Sequence, residues 1–265
     1  MKIWTVSNQK GGVGKTTTVV SLAGHLSSQG KRVLCIDLDP HGSLTSYFRL
    51  DPDTVDKGVY NLFHDSSQKH KLEPLNYIHQ TQFDGLSLMP ATTALATLDR
   101  KASQFDGLGL VISNALECVK TSYDYVLIDT PPMLGVLMIN ALAACHRLII
   151  PVQTEFLALK GLERMIKTLK MIQKSRQQSL QYTIVPTMFD KRTRASISSL
   201  NSLRDKFGHQ LWGEYIPVDT QLREASRLGV PVSILAPKSK ASIAYGELLI
   251  ALGKSRAKLA LVSQQ

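Results

Sequence analysis

Cysteine is scarce: Cys35, Cys118 and Cys145 are the whole complement of a 265-residue chain. Three thiols cannot all pair within one chain, and none shares a CxxC spacing, which argues against a disulfide framework and a zinc site alike. Each lies among apolar neighbours and is expected as a small buried residue. Long apolar runs are also lacking. The longest, Tyr125–Ile128 and Leu148–Val152, stop far short of the roughly 18 to 20 residues of a membrane span. The N-terminus carries one lysine and then Ile3-Trp4-Thr5-Val6-Ser7-Asn8, without the apolar stretch of a secretory signal, so a reducing cytoplasm is the expected location. Neither an internal repeat nor a low-complexity tract is present. With 43% hydrophobic and 20% charged residues and a mean hydropathy of −0.03, the balance is that of a soluble globular protein, neither disordered nor fibrous. One core can serve this length, and a single domain over residues 1–265 is expected.

The C-terminal part is poor in acid. Residues 160–265 hold 18 Lys and Arg against 7 Asp and Glu, whereas residues 1–159 hold 13 against 14. A basic excess confined to one part suggests an anionic partner, nucleic acid phosphate or an anionic membrane surface; a merely solvated basic face is the alternative.

Apolar, β-branched runs alternate with segments of helical period. Ile3–Ser7, Arg32–Asp37, Leu86–Met89, Tyr125–Asp129, Arg147–Val152, Tyr182–Thr187 and Trp212–Ile216 read as strands, and Thr16–Gln29, Leu108–Thr121, Leu159–Ser175 and Ala195–Phe207 as helices. The series is βαβ, and such strands imply an α/β fold: a mostly parallel twisted sheet with helices on both faces, its ligands gathered beyond the carboxyl ends of the strands. The polar stretch Asp51–His79, broken by Pro52, Gly58 and Pro74, reads as a surface excursion. Ser242–Val262 reads as a helix whose Ile243, Leu248, Leu249, Leu252 and Leu259 form a stripe for packing on the sheet.

Lys10-Gly11-Gly12-Val13-Gly14-Lys15-Thr16-Thr17 follows a strand and opens a helix, the setting of a P-loop. Glycines let backbone N–H groups curl around phosphate oxygens at the positive helix end, Lys15 adds a point charge, and Thr16 offers its hydroxyl to Mg²⁺. Asp129 ends the run Tyr125–Ile128 and precedes Thr130-Pro131-Pro132, the place of a Walker B carboxylate that holds the Mg²⁺ shell. Asp37 and Asp39 end another strand, where alternation aims both carboxylates the same way, so that one serves the metal and the other orients water.

These segments resemble the ParA/MinD ATPases, with their deviant Walker A motif. Asp37-Leu38-Asp39-Pro40, Asp129-Thr130-Pro131-Pro132, Leu134-Gly135 with Asn140-Ala141-Leu142, and Pro151-Val152-Gln153 with Glu155–Leu162 match in order and spacing over nearly the whole chain. The resemblance implies a Mg²⁺-dependent ATP hydrolase of the P-loop class that forms a homodimer with ATP. In it Lys10 reaches the phosphates bound by the partner subunit, Lys15 is the ordinary P-loop lysine, Thr16 binds Mg²⁺, and Asp39 positions the attacking water. Pro217-Val218-Asp219 matches the segment that packs on adenine, with Thr187-Met188 beside it.

The ParA branch binds nonspecific DNA through scattered basic residues, which would here be Lys191, Arg192, Arg194, Arg223 and Arg227. Gln221 stands where many members carry Arg. The chain opens directly on the P-loop strand, without the helix-turn-helix extension of some plasmid partition members, so site-specific DNA binding is not expected. A MinD-like amphipathic anchor is poorly supplied: the tail has Lys254, Arg256 and Lys258 but only Leu259, Leu261 and Val262 to bury, and stable membrane insertion is not expected. Asp39–Phe48, Pro90–Arg100 and Phe189–Thr193 are similar to the ParC subgroup, which implies a chemotaxis array or polar adaptor as cargo and a place on the nucleoid or at the cell pole; His41-Gly42-Ser43 stands where general ParA proteins have Gln-Gly-Asn. Alternatives are a MinD-like or flagellar-number regulator, or a metabolic P-loop enzyme such as an amide-forming ligase or a metallocluster reductase. The reductase would need interface cysteines close after Asp129–Pro132, where Cys118 and Cys145 do not stand.

Overall fold

A computed structural model of the chain describes residues 1–101, 108–174 and 180–262. Seven strands form one sheet: β1 (Lys2–Val6), β2 (Val33–Asp37), β3 (His79–Gln80), β4 (Leu86–Met89), β5 (Tyr125–Asp129), β6 (Arg147–Gln153) and β7 (Gln181–Thr187). Their order is β3-β4-β2-β5-β1-β6-β7, parallel throughout except for β3, which runs antiparallel to β4. The helices are α1 (Lys15–Ser28), α2 (Ser43–Tyr47), α3 (Val59–Ser67), α4 (Ala96–Lys101), α5 (Val111–Cys118), α6 (Val136–Ala144), α7 (Phe156–Lys174), α8 (Arg194–Phe207), α9 (Thr220–Leu228), α10 (Val232–Leu235) and α11 (Lys240–Val262).

Both sheet faces are covered, which is why the central strands carry apolar residues at consecutive and not only at alternate positions. Ile3, Leu34, Ile36, Val126 and Ile128 pack with α3, α5 and α6 on one face. Their chain neighbours Trp4, Val33, Cys35 and Leu127 turn to the other face, against Val19, Leu22 and Leu26 of α1 and Tyr245, Leu248 and Leu252 of α11. Leu148, Ile150 and Ile184 meet α7 through Leu162 and Met165. A glycine lets α1 approach α10: a Cβ at Gly24 would lie 2.4 Å from Pro231 Cβ, and that rigid ring cannot move aside.

Several expectations are corrected. Within Asp51–His79, α3 is no surface excursion, because Val59, Leu62 and Phe63 are fully buried in the core. Trp212–Ile216 is not a strand. Trp212 N donates to Ile184 O and Ile216 N to Pro186 O, but Gly213 and Glu214 bend away between them, leaving only isolated bridges at Leu211 and Pro217. Cys118 is exposed at the end of α5, while Cys35 and Cys145 are buried as expected. On α11, Leu248, Leu249 and Leu252 are buried but Ile243 is half exposed; Ala241, Ala244 and Tyr245 complete the packed face instead. Ser175, the expected end of one helix, and the side chains of Arg256, Lys258, Leu259, Leu261 and Val262, weighed as a membrane anchor, lie outside the described residues. Among the described residues no helix is long and apolar enough to cross a membrane.

Candidate active site: a phosphate loop at the ends of three strands

Val6, Asp37 and Asp129 end three adjacent strands, and the parallel register pairs Val6 with Asp129 and Asp37 with Asp129. The loop from β1 to α1 rises at this end. Gly12 (φ +73°) and Gly14 (φ +91°) take left-handed conformations that only glycine adopts freely, and Val13 is fully buried as the loop's anchor. Thr187 Oγ1 donates to Val13 O at 2.9 Å, tying the loop to β7. Asn8 fixes its other side, donating to Pro151 O at 2.7 Å and accepting from Lys10 N at 3.0 Å. The consequence is a row of N–H groups at the positive end of a 14-residue helix, which suits phosphate oxygens.

Lys15, only 8% exposed, lies inside this cradle. Lys10 does not share it: its side chain, 33% exposed, is paired with Glu155 just after β6. The two lysines of the motif therefore occupy different surroundings.

Thr16 Oγ1 donates to Asp129 Oδ2 at 2.5 Å. Asp37 Oδ2 accepts from both N and Oγ1 of Thr45 at 2.8 Å, while its Oδ1 accepts from Asp39 N at 3.1 Å. Burial above all raises both carboxyls above the ordinary range; repulsion from Asp37 adds to it at Asp129, against the Thr16 hydrogen bond and Lys15, and repulsion from Asp39 adds to it at Asp37, against the hydrogen bonds from Thr45. Two buried acids beside a hydroxyl, short of positive charge, fit a divalent cation. The Thr16 hydroxyl and the Asp129 carboxylate, oxygen donors only, suit Mg²⁺, an ion that takes one or two carboxylates and completes its shell with water and phosphate. Of the four proposed ligands, Thr16 and Asp129 face each other, whereas Asp37 is engaged by Thr45 and Asp39 by His41.

A carboxyl whose pKa is raised by folding stabilises the fold at low pH and loses that contribution as pH rises through the raised value. The metal-free protein should therefore melt at a lower temperature near pH 8.5 than near pH 6, and Asp129→Asn should flatten the difference. Scanning fluorimetry in EDTA checks this; a slope that Asp129→Asn leaves unchanged would remove Asp129 as its source.

Beside the loop, a cavity of about 580 Å³ is lined by Gly14, Thr17, Thr187, Met188, Pro217, Val218, Asp219 and Arg223, among others. The segments expected to hold a base are thus joined to the phosphate loop. Asp219 caps α9 through Gln221 N at 2.9 Å and accepts from Ala241 N at 3.0 Å, which fixes this wall to α11. Across Pro217–Asp219 opens a groove of about 860 Å³ lined by Lys191, Arg192, Lys238 and Lys240, with the rings of Phe189 and Tyr215 packed at 4.0 Å between centroids and tilted by 39°.

The five basic residues expected to meet DNA lie in different surroundings. Lys191 and Arg192 line the groove, and Arg192 is held in a fork by Asp190 at 2.7 and 2.9 Å. Arg223 lines the nucleotide-sized cavity instead. Arg227 pairs with Glu224, and Arg194 opens α8 without lining either space. Lys238 and Lys240, two lysines around one serine at the start of α11, line the groove as well. Thr45 and Glu155 were missed, since only folding brings them to Asp37 and Lys10.

A glycine turn, its lysine and threonine, and buried aspartates at neighbouring strand ends define a P-loop nucleoside triphosphatase. A family described as AAA domain matches residues 1–182. The sporulation initiation inhibitor protein Soj of Bacillus subtilis is 36% identical over 248 residues, 93% of this chain and 96% of that protein. The chromosome-partitioning ATPase Soj of Thermus thermophilus is 38% identical, covering 92% of each. Among solved structures, cobyrinic acid a,c-diamide synthase from Mycobacterium smegmatis, with bound ATP analogue and magnesium, superposes with a TM-score of 0.82 at 33% identity, covering 96% of this chain and 95% of that one. The chain belongs to the ParA/Soj-type chromosome-partitioning ATPase family.

Proposed function

We propose that the whole chain, residues 1–265, is one ATP-dependent dimerisation switch that binds DNA without sequence preference and positions a cargo. ATP is its substrate and Mg²⁺ its cofactor. Bound at Thr16 and Asp129, the cation would neutralise phosphate charge; the chain's own groups cradle the phosphates, and Asp39 orients water. Lys10 carries the reading. A motif lysine that is paired with Glu155 outside its own phosphate cradle is available to a second subunit's nucleotide. ATP then favours the dimer and hydrolysis removes that preference, a population shift.

The groove with Lys191, Arg192, Lys238 and Lys240 is the DNA face in this reading, and Arg223 serves the nucleotide. Dimerisation doubles the basic surface, so avidity couples DNA binding to ATP. The cargo is a chemotaxis array or its polar adaptor, which the segments Asp39–Phe48 and Phe189–Thr193 support by their resemblance to the ParC subgroup. The test is a gel-shift series with random duplexes. The ATP form should retard every duplex and the ADP form none, and each phosphate contact should contribute about −0.9 to the slope of log K against log salt. Arg192→Ala and Lys240→Ala should each flatten that slope by about one contact and weaken all sequences alike. No shift at low salt would exclude the DNA reading, retention by anionic liposomes with ATP would favour a MinD-like regulator, and turnover dependent on a carboxylic acid co-substrate would favour an amide-forming ligase.

A further inference from the structure

Between β2 and α2, His41 lies against the carboxylate assigned to water. Its backbone N–H donates to Asp39 Oδ1 at 3.0 Å, and its ring Nδ1 stands 2.9 Å from the same oxygen. With the ring proton on Nδ1, the imidazole donates to this oxygen as the backbone does. Among the described residues no hydrogen bond reaches Asp39 Oδ2. The imidazole is 82% exposed and the carboxylate 13%, so the ring covers a largely enclosed acid from its solvent side. The loop beneath is fixed: Gly42 N donates to Asp39 O at 2.8 Å, and Gly42, at φ +61°, is so close to Pro52 that a Cβ would lie 2.2 Å from the proline ring.

We propose that His41 is a positioning residue for hydrolysis. Its ring N–H and its backbone N–H hold Oδ1 from two directions, stop rotation of the carboxylate about Cβ–Cγ, and leave Oδ2 to accept from the water that attacks the terminal phosphate. A backbone donor alone fixes one contact but not the plane; the second donor sets the plane. The inference rests on the reading of Asp39 as the water-orienting acid.

Steady-state Mg²⁺-ATP hydrolysis and fluorescent-nucleotide affinity are measured for His41→Ala, His41→Phe and His41→Asn, alongside Asp39→Ala. Alanine and phenylalanine should lower kcat about five-fold, the scale of one charge-assisted contact in a solvated loop, with KM and nucleotide affinity unchanged. Asparagine, whose side-chain N–H sits as far from Cβ as histidine Nδ1, should restore most of the rate. Wild-type kcat in the alanine and phenylalanine variants, a loss shared by KM, or an asparagine variant as slow as phenylalanine would each overturn the role of His41 while a slow Asp39→Ala leaves that of Asp39 standing. Wild-type turnover by Asp39→Ala would overturn both.

Discussion

Lys15→Ala should abolish nucleotide binding, whereas Lys10→Ala should keep it and fail to dimerise. The contrast comes from environment. Lys15 is buried at the head of α1, where a contact with a desolvated phosphate would be charge-assisted and its loss would cost upwards of about 1.5 kcal/mol. Two phosphates engaged at once would raise the cost to a hundredfold in affinity or more. Lys10 is partly exposed and paired with Glu155, so its removal leaves the phosphate cradle of its own subunit whole. Fluorescent-nucleotide titration and size-exclusion chromatography with ATP give the two readouts. An equal loss of affinity in both variants would contradict a role for Lys10 in the partner's site.

Asp39→Ala should bind ATP with Mg²⁺ near normal affinity, hydrolyse it at least tenfold more slowly, and accumulate as a dimer. The structure separates the Asp39 carboxylate from the acid that faces Thr16: Asp129 accepts the Thr16 hydroxyl, while the Asp39 carboxylate is held by the backbone N and ring Nδ1 of His41. Removing it should therefore affect the water and not the cation. A monomeric elution with unimpaired turnover would move the water-orienting role elsewhere.

The sequence made the central part of the sheet and the phosphate loop legible for a physical reason. Buried parallel strands must be apolar on both faces, and a turn that needs left-handed conformations at Gly12 and Gly14 cannot be written in other residues. The edge was less readable. Strand β3 has two residues, His79 and Gln80, with no pattern to find, and α3 was obscured because His64-Asp65-Ser66-Ser67 follows its buried Val59, Leu62 and Phe63. Trp212–Ile216 has strand composition, yet Gly213 lets the backbone bend out of register. In the site, residue types were sufficient for Lys15, Thr16 and Asp129, but contacts across 8 and 145 positions, Thr45 to Asp37 and Glu155 to Lys10, depend on tertiary structure. Arg223 illustrates the same limit: composition shows charge, and only the fold shows that this residue lines the cavity beside the phosphate loop.

The Lys10–Glu155 pair has a consequence for ionic strength. If Lys10 leaves Glu155 to meet the partner's phosphates, association exchanges one ion pair for another and creates no net new contact at that residue. Salt weakens the pair that is broken as well as the pair that is made, so self-association should respond only weakly to salt, whereas counterion release makes duplex binding respond steeply. Raising potassium chloride would then strip DNA from an intact dimer, and the two halves of the switch could be separated without any mutation.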